Sequence, residues 1–279
     1  MIKNGNILFL FCGLLFAACS SKIKEIKEEV YSRHLQKHIS LTIISTPVPK
    51  NKSDFNLLIL NDAKDIDQLH VKNIVDSLYR KKSIQPLVVV GITAFDRVQE
   101  YGVAGYPGYQ DKGASAEKYS NFIINELLPF VKKKSAVRKF NSVTIAGTSD
   151  GGLSAFDIAW DHADKIDKAG IFSGSFGFSN LDATDTSYSD DKNRIIINKI
   201  RSSRKRPHLK YWFYAGGSDE TADRDNDVIG NTKDLIELIK KKKVCPPGDI
   251  VYIEEKDSKN DDASWGQIFP RFLVWAVGK

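Results

Sequence analysis

Past its first forty residues the chain alternates short apolar runs with longer amphipathic stretches. Leu41-Thr42-Ile43-Ile44-Ser45 is rich in β-branched residues and is closed by Pro47 and Pro49, the pattern of a strand. Leu57–Leu60 and Leu87–Ile92 are apolar without alternation, as strands covered on both faces must be. Val143–Ala146, Ala169–Phe172, Tyr211–Tyr214 and Ile250–Ile253 repeat that pattern. Helical period fills the intervals: Val71–Lys82, Ala116–Lys133, Leu153–Trp160, Asn193–Arg201, Lys233–Lys243 and Gln267–Val277. Alternating strands and helices predict a mostly parallel central sheet with helices on both faces. Neither a repeat nor a linker divides the body, so one domain over residues 31–279 is expected.

The N-terminus is different. Lys3 precedes an apolar run, Ile7 to Phe16, which is too short to span a bilayer in the ordinary way and has the form of a signal peptide. Ala17-Ala18 then lead into Cys19. The string Phe16-Ala17-Ala18-Cys19 resembles the bacterial lipoprotein signal, with Phe16 where that pattern prefers an aliphatic residue. The resemblance implies cleavage after residue 18, lipid on Cys19 and a protein held at the cell envelope through its N-terminus. Residues 19–30, charged throughout, are expected to be a tether.

Composition narrows the classes. With 279 residues, 42% hydrophobic and 27% charged, the chain has ample material for a buried core. Its three cysteines rule out a disulfide scaffold: Cys12 leaves with the signal, Cys19 is the lipid site, and Cys245 remains alone. The net charge of +6 is modest. Two basic runs, Arg201 to Arg206 and Lys240 to Lys243, carry no interleaved aromatics, so no nucleic-acid partner is expected. Asp223-Arg224-Asp225-Asn226-Asp227 starts like a calcium loop, but Val228 stands where the loop requires glycine. No metal and no cofactor is expected.

The chemistry centres on Gly147-Thr148-Ser149-Asp150-Gly151. This fits G-x-S-x-G in the required context, with a strand before it and a helix after it. A serine there sits on a sharp turn, and close packing forbids a side chain at either glycine. The N–H of Asp150, at the helix start, would then face the oxyanion formed on an attacked carbonyl. A second donor is expected after the strand Leu87–Ile92, from Thr93 or Ala94. The segment Ser175 to Asp191, rich in Ser, Asp and Gly, lies where such a fold places a loop over its site.

From here the chain resembles the esterases of the enterochelin-esterase type, which are α/β-hydrolases. Leu60-Asn61-Asp62 is similar to that family's "LNDGQ" segment, with Ala63-Lys64 for Gly-Gln. Val90-Gly91-Ile92 with Arg97 and Glu100-Tyr101-Gly102 resembles its "VVGI…R..EYG" block. Gly113, Ala116, Tyr119, Phe122-Ile123 and Glu126 to Phe130 resemble "G..A..Y..FI..ELLPF", and Trp265 with Phe269 to Trp275 resembles the terminal "W…FP.FL.W". The resemblance implies an α/β-hydrolase and a serine carboxylesterase using Ser149.

The triad on this fold runs Ser, acid, His. The acid follows the strand Tyr211–Tyr214, where Asp219 and Glu220 both stand, Asp219 being preferred. For the histidine the family reads "KHD…W", and here Lys259-Asn260-Asp261 precedes Trp265. Asn260 thus occupies the family's histidine position, and no histidine follows His208. An amide neither accepts the serine proton nor returns it to the leaving group. Two outcomes remain: an esterase of weak or absent activity acting on an ester-bearing small molecule or glycan, or a degenerate relative serving as a surface binding or accessory protein.

Overall fold

The computed structural model describes residues 22–49, 55–62, 64–217, 227–258 and 261–279. Strands β1 (Lys24–Ser32), β2 (Lys37–Ser45) and β3 (Asn56–Asn61) come first, then helices α1 (Lys64–Gln68) and α2 (Val71–Arg80). Next are β4 (Leu87–Thr93), α3 (Arg97–Glu100), α4 (Ala116–Phe122) and α5 (Leu128–Lys134). They are followed by β5 (Val143–Thr148), α6 (Ser149–Asp161), β6 (Lys168–Phe172), α7 (Asp190–Asn193), α8 (Ile195–Ser202) and β7 (Lys210–Gly216). The chain ends with α9 (Val228–Lys241), β8 (Ile250–Glu255) and α10 (Asp262–Val277).

The eight strands form one sheet in the order β1-β2-β4-β3-β5-β6-β7-β8. From β4 to β8 neighbours are parallel; β1 and β2 pair antiparallel with each other, and β2 antiparallel with β4. This is the α/β-hydrolase architecture. Alternation along each strand divides the core in two, because successive side chains point to opposite faces. Leu57, Ile59, Val88 and Val90 pack with Tyr119, Phe122, Phe156 and Trp160 on one face. Leu58, Leu60 and Val89 pack with Val75, Trp265, Phe269 and Phe272 on the other. Apolar residues without alternation mark strands that both layers cover.

Several boundaries differ from the sequence reading for identifiable reasons. Residues 24–30, expected within a tether, belong to β1, which pairs along its whole length with β2. As an edge strand it leaves Lys24, Lys27 and Glu29 in solvent, and charge on such an edge discourages pairing with other chains. The charge therefore hid the strand. The expected helix Ala116–Lys133 holds a wide π turn at Ile123–Leu127, just ahead of Pro129, whose missing N–H breaks the regular ladder. Helices α9 and α10 start earlier than their apolar period because Asp227 and Asp261 cap them, accepting from the N–H groups of Gly230 and Ser264.

On the inner side of α6, Asp157 is fully buried, with Lys199 as its ion-pair partner and the N–H of Ala104 donating at 2.8 Å. Burial outweighs both contacts and raises its pKa from 3.8 to about 6. The folded state therefore binds this proton more tightly than the unfolded chain. The resulting stability is present below pH about 4 and lost as pH rises through about 6. In urea titrations, stability is expected to fall between pH 4 and 7 by roughly 2–3 kcal/mol more in the parent than in Asp157→Asn. Parallel pH profiles of the two proteins would refute this.

Candidate active site

The site grows from the end of β5. All six residues of that strand are buried, and Thr148 is still extended (φ −111, ψ 146). Ser149 then turns to φ 49 as the chain enters α6. A non-glycine residue in the left-handed region costs on the order of 1–2 kcal/mol, so the surroundings must hold it there. Two close approaches do so. A Cβ on Gly147 would lie 2.4 Å from the carbonyl oxygen of Gly151, and one on Gly151 would lie 2.8 Å from Asp62 Oδ2. The first glycine lets the opening turn of α6 fold back on β5; the second lets the end of β3 pack against that turn. Because α6 is buried from Gly151 to Trp160, the serine stands on a fixed platform.

The Ser149 hydroxyl lies 3.2 Å from Ser175 Oγ, and the Ser175 N–H donates to the Ser149 carbonyl at 3.2 Å. Ser175 comes from the loop after β6, so that loop clasps the turn by both backbone and side chain. A cleft of about 580 Å³ opens beside it, lined by Tyr101, Tyr109, Lys112, Asp150, Ser175 and Phe178, with residues 98, 110, 179 and 181–184 completing the wall. The segment Ser175 to Asp191 thus borders the cleft.

Polar groups beneath the turn are closely matched. Asn61 Nδ2 donates to the Gly151 carbonyl at 2.8 Å, and the Tyr119 hydroxyl donates to Asn61 Oδ1 at 2.8 Å. The Asp62 N–H donates to the Tyr101 hydroxyl at 3.0 Å. The Asp62 carboxylate, buried, takes the Arg97 guanidinium at 2.7 Å (Nε to Oδ1) and 2.9 Å (Nη2 to Oδ2). Half-burial works against the guanidinium charge, but Asp62 and, more weakly, Asp150 keep its pKa above the ordinary value. The Asp150 carboxylate is thus near enough to favour the Arg97 charge weakly. Its N–H belongs to the first turn of α6, where helix amides have no partner within the helix.

Thr93 closes β4 and Ala94 follows it, but β3 lies between β4 and β5. Two strand spacings, about 10 Å, separate that strand end from the serine strand. On that side of the serine turn, the described chain packed against it is Asn61-Asp62 at the end of β3. Beside β3 the strand order reverses, and connections leaving β3 and β5 diverge to opposite faces of the sheet. A crevice at the carboxyl ends of the strands is the geometric result.

The model of the family described as "Putative esterase" matches residues 32–273. The chain belongs to that esterase family. Among solved structures it is similar to the enterobactin esterase from Shigella flexneri, with a TM-score of 0.70 and 18% identity over 92% of this chain. The match spans 60% of that enterobactin esterase, so this chain corresponds to about three fifths of its length. It is also similar to a siderophore hydrolase from Aspergillus nidulans, with a TM-score of 0.66 and 15% identity over 99% of both chains. A ferulic acid esterase gives a TM-score of 0.67 and 16% identity, over 92% of this chain and 98% of that one. A sequence search of curated proteins returned no match.

In this family member Asp219, Glu220, Asn260 and Cys19 lie outside the described residues. Their described neighbours leave the carboxyl edge of the sheet that carries Ser149. Gly217 N–H donates to the Glu255 carbonyl at 3.1 Å, and the Tyr214 hydroxyl bonds to Glu255 Oε2 at 3.0 Å and Ser258 Oγ at 2.9 Å. These contacts tie together the ends of β7 and β8.

All five histidines are described, and none is a hydrogen-bond partner of the Ser149 hydroxyl. His162 caps the far end of α6, about 20 Å from Ser149 at 1.5 Å per residue. Its Nε2 lies 3.1 Å from Ser120 Oγ, and burial lowers its pKa. His208 precedes β7 at the opposite edge of the sheet. His34 and His38 belong to the outer β1–β2 hairpin, and His70 caps α2 at φ 50. Ser175 and the Asn61–Tyr119 contact carried no sequence motif of their own. Asn61, Arg97 and Tyr119 appeared only within the family blocks.

Proposed function

We propose that the chain is a lipid-anchored serine esterase in which Ser149 attacks an ester carbonyl. The Asp150 N–H serves as oxyanion donor, and Asp219 or Glu220 is the acid. The substrate is an ester-bearing small molecule or glycan that reaches the cleft at the cell envelope, the protein being held to its membrane by lipid on Cys19. The observation that carries this reading is the left-handed Ser149 between two closely packed glycines, flanked by Asp150 and Ser175, which line a cleft. Fold neighbours that are themselves named as esterases support the ester chemistry.

Asn260 limits this activity. It stands where the family has its histidine, so Ser149 lacks an efficient base and turnover is slow. A second reading, a degenerate esterase kept as a surface binding or accessory protein, is favoured by the same residue and by the absence of any histidine bonded to Ser149. Labelling with a fluorophosphonate separates the two. An activated Ser149 is expected to be labelled in the chain lacking residues 1–19, and Ser149→Ala is expected to abolish the label. Label retained in Ser149→Ala would end the nucleophile assignment; no label on the parent would favour the accessory role.

A further inference from the structure

The two edges of the sheet carry opposite charge. Each helix that follows a parallel strand returns the chain to the amino edge, so the helix ends gather opposite the cleft. The described segments there are 22–24, 80–86, 132–142, 161–167, 201–209, 240–249 and 278–279. Together they hold 20 Lys or Arg against 4 Asp or Glu. The described segments at the cleft edge are 33–36, 62, 64–70, 94–115, 149–150, 173–194, 217, 227, 256–258 and 261–262. They hold 7 Lys or Arg against 15 Asp or Glu.

Positive charge at a helix carboxyl end suits the helix dipole, and a few lysines need no other reason. The excess here is larger, and much of it has no acidic neighbour. Lys81, Lys82, Lys133, Lys139, Lys240 and Lys241 are exposed and make no ion pair among the described residues. They come from helices on both faces of the sheet, so the charge spreads across the whole edge.

The chain also enters at this edge. Lys24 pairs with Ser45, and Ser45 with Val88 near the start of β4, which puts the beginning of β1 at the amino edge. From Cys19 to Lys24 the covalent reach is at most about 18 Å. We propose that this basic edge is a docking face for an anionic phospholipid bilayer, seating the body with its cleft directed away from the membrane. For the anchor this rests on the lipoprotein reading above; for the face it rests on charge alone. The cleft then samples molecules arriving from the far side, about 20 Å of sheet away, rather than lipids of the membrane underneath.

Residues 22–279 contain every described element of the single sheet, so this lipid-free body is the protein to test. It is expected to co-sediment with vesicles of phosphatidylglycerol and phosphatidylcholine, but not with phosphatidylcholine alone, and to be released by salt. Each basic residue near such a surface contributes about fivefold in affinity. Lys81→Glu/Lys82→Glu and, separately, Lys240→Glu/Lys241→Glu should each weaken binding about 25-fold or more. Lys192→Glu, at the cleft edge, should leave it unchanged. Equal affinity for neutral vesicles, or losses no larger than that of Lys192→Glu, would overturn the proposal. Mass spectrometry of the N-terminal peptide of the full chain reads the anchor separately: a Cys19 without lipid refutes the lipid reading and leaves the vesicle result standing.

Discussion

Asn260→His is expected to raise kcat/KM for a short-chain nitrophenyl ester by about 10²-fold or more. Removing one member of a serine triad typically costs on the order of 10⁴-fold, while the oxyanion hole and binding alone leave about 10³–10⁴ over water. The parent chain should therefore sit near that residual level. Its serine turn is already built: Ser149 is held at φ 49, Ser175 clasps it, and Asn61 fixes the Gly151 carbonyl. On the proposed reading the missing part is the proton carrier, and an imidazole at position 260 is expected to recover part of the deficit. The gain should appear in kcat, follow a base with pKa near 7, and vanish in Ser149→Ala/Asn260→His. If the parent turns over briskly and Asn260→His changes nothing, the incomplete-triad reading fails.

The histidines already present do not weaken this expectation. His162 is the one on the serine helix, yet it stands at the other end of α6, and burial disfavours its charged form. Asp261 accepts from the Ser264 N–H as the cap of α10, so that carboxylate has a structural task. A free carboxylate near pKa 4 is in any case a poor match for a serine hydroxyl.

What was legible in the sequence follows from how each feature is encoded. Strands β3 to β8 could be read because both faces are covered and their residues are apolar without alternation. β1 could not, since an edge strand keeps charged residues in solvent and so imitates a tether. The serine turn was legible because two steric demands, at Gly147 and Gly151, are written as glycines at fixed spacing. The supports of that turn are not written locally. Asn61 meets Gly151 across 90 residues and Tyr119 across 58, and only the strand order brings them together. The same holds for the chain segment beside the serine. Sequence order made the turn after β4 the natural candidate, whereas sheet order puts the end of β3 beside the serine. The charge separation between the two edges is invisible in a net charge of +6, because it depends on which end of each helix faces which edge.

Gly147→Ala is expected to cost about 3 kcal/mol of stability and to abolish labelling of Ser149. The added methyl would stand 2.4 Å from the Gly151 carbonyl oxygen and 2.5 Å from its carbon. Both are backbone atoms in the first turn of a buried helix, so no side chain can swing aside to make room. Either α6 lifts from β5 or the turn opens, and each loosens contacts that hold Ser149 in its strained conformation. Overpacking of this kind typically costs 1–3 kcal/mol, and a rigid backbone neighbour puts this case at the upper end. For a domain of this size that corresponds to a fall in Tm of about 6–12 °C. Gly105→Ala is the informative control. That glycine, unlike Gly147, has positive φ (+78), but nothing lies within 4 Å of its Cβ position, so backbone strain alone applies. Its cost should be about 1 kcal/mol, with labelling of Ser149 intact. If Gly147→Ala melts no lower than Gly105→Ala and still labels, then close packing at the first glycine is not what fixes the serine.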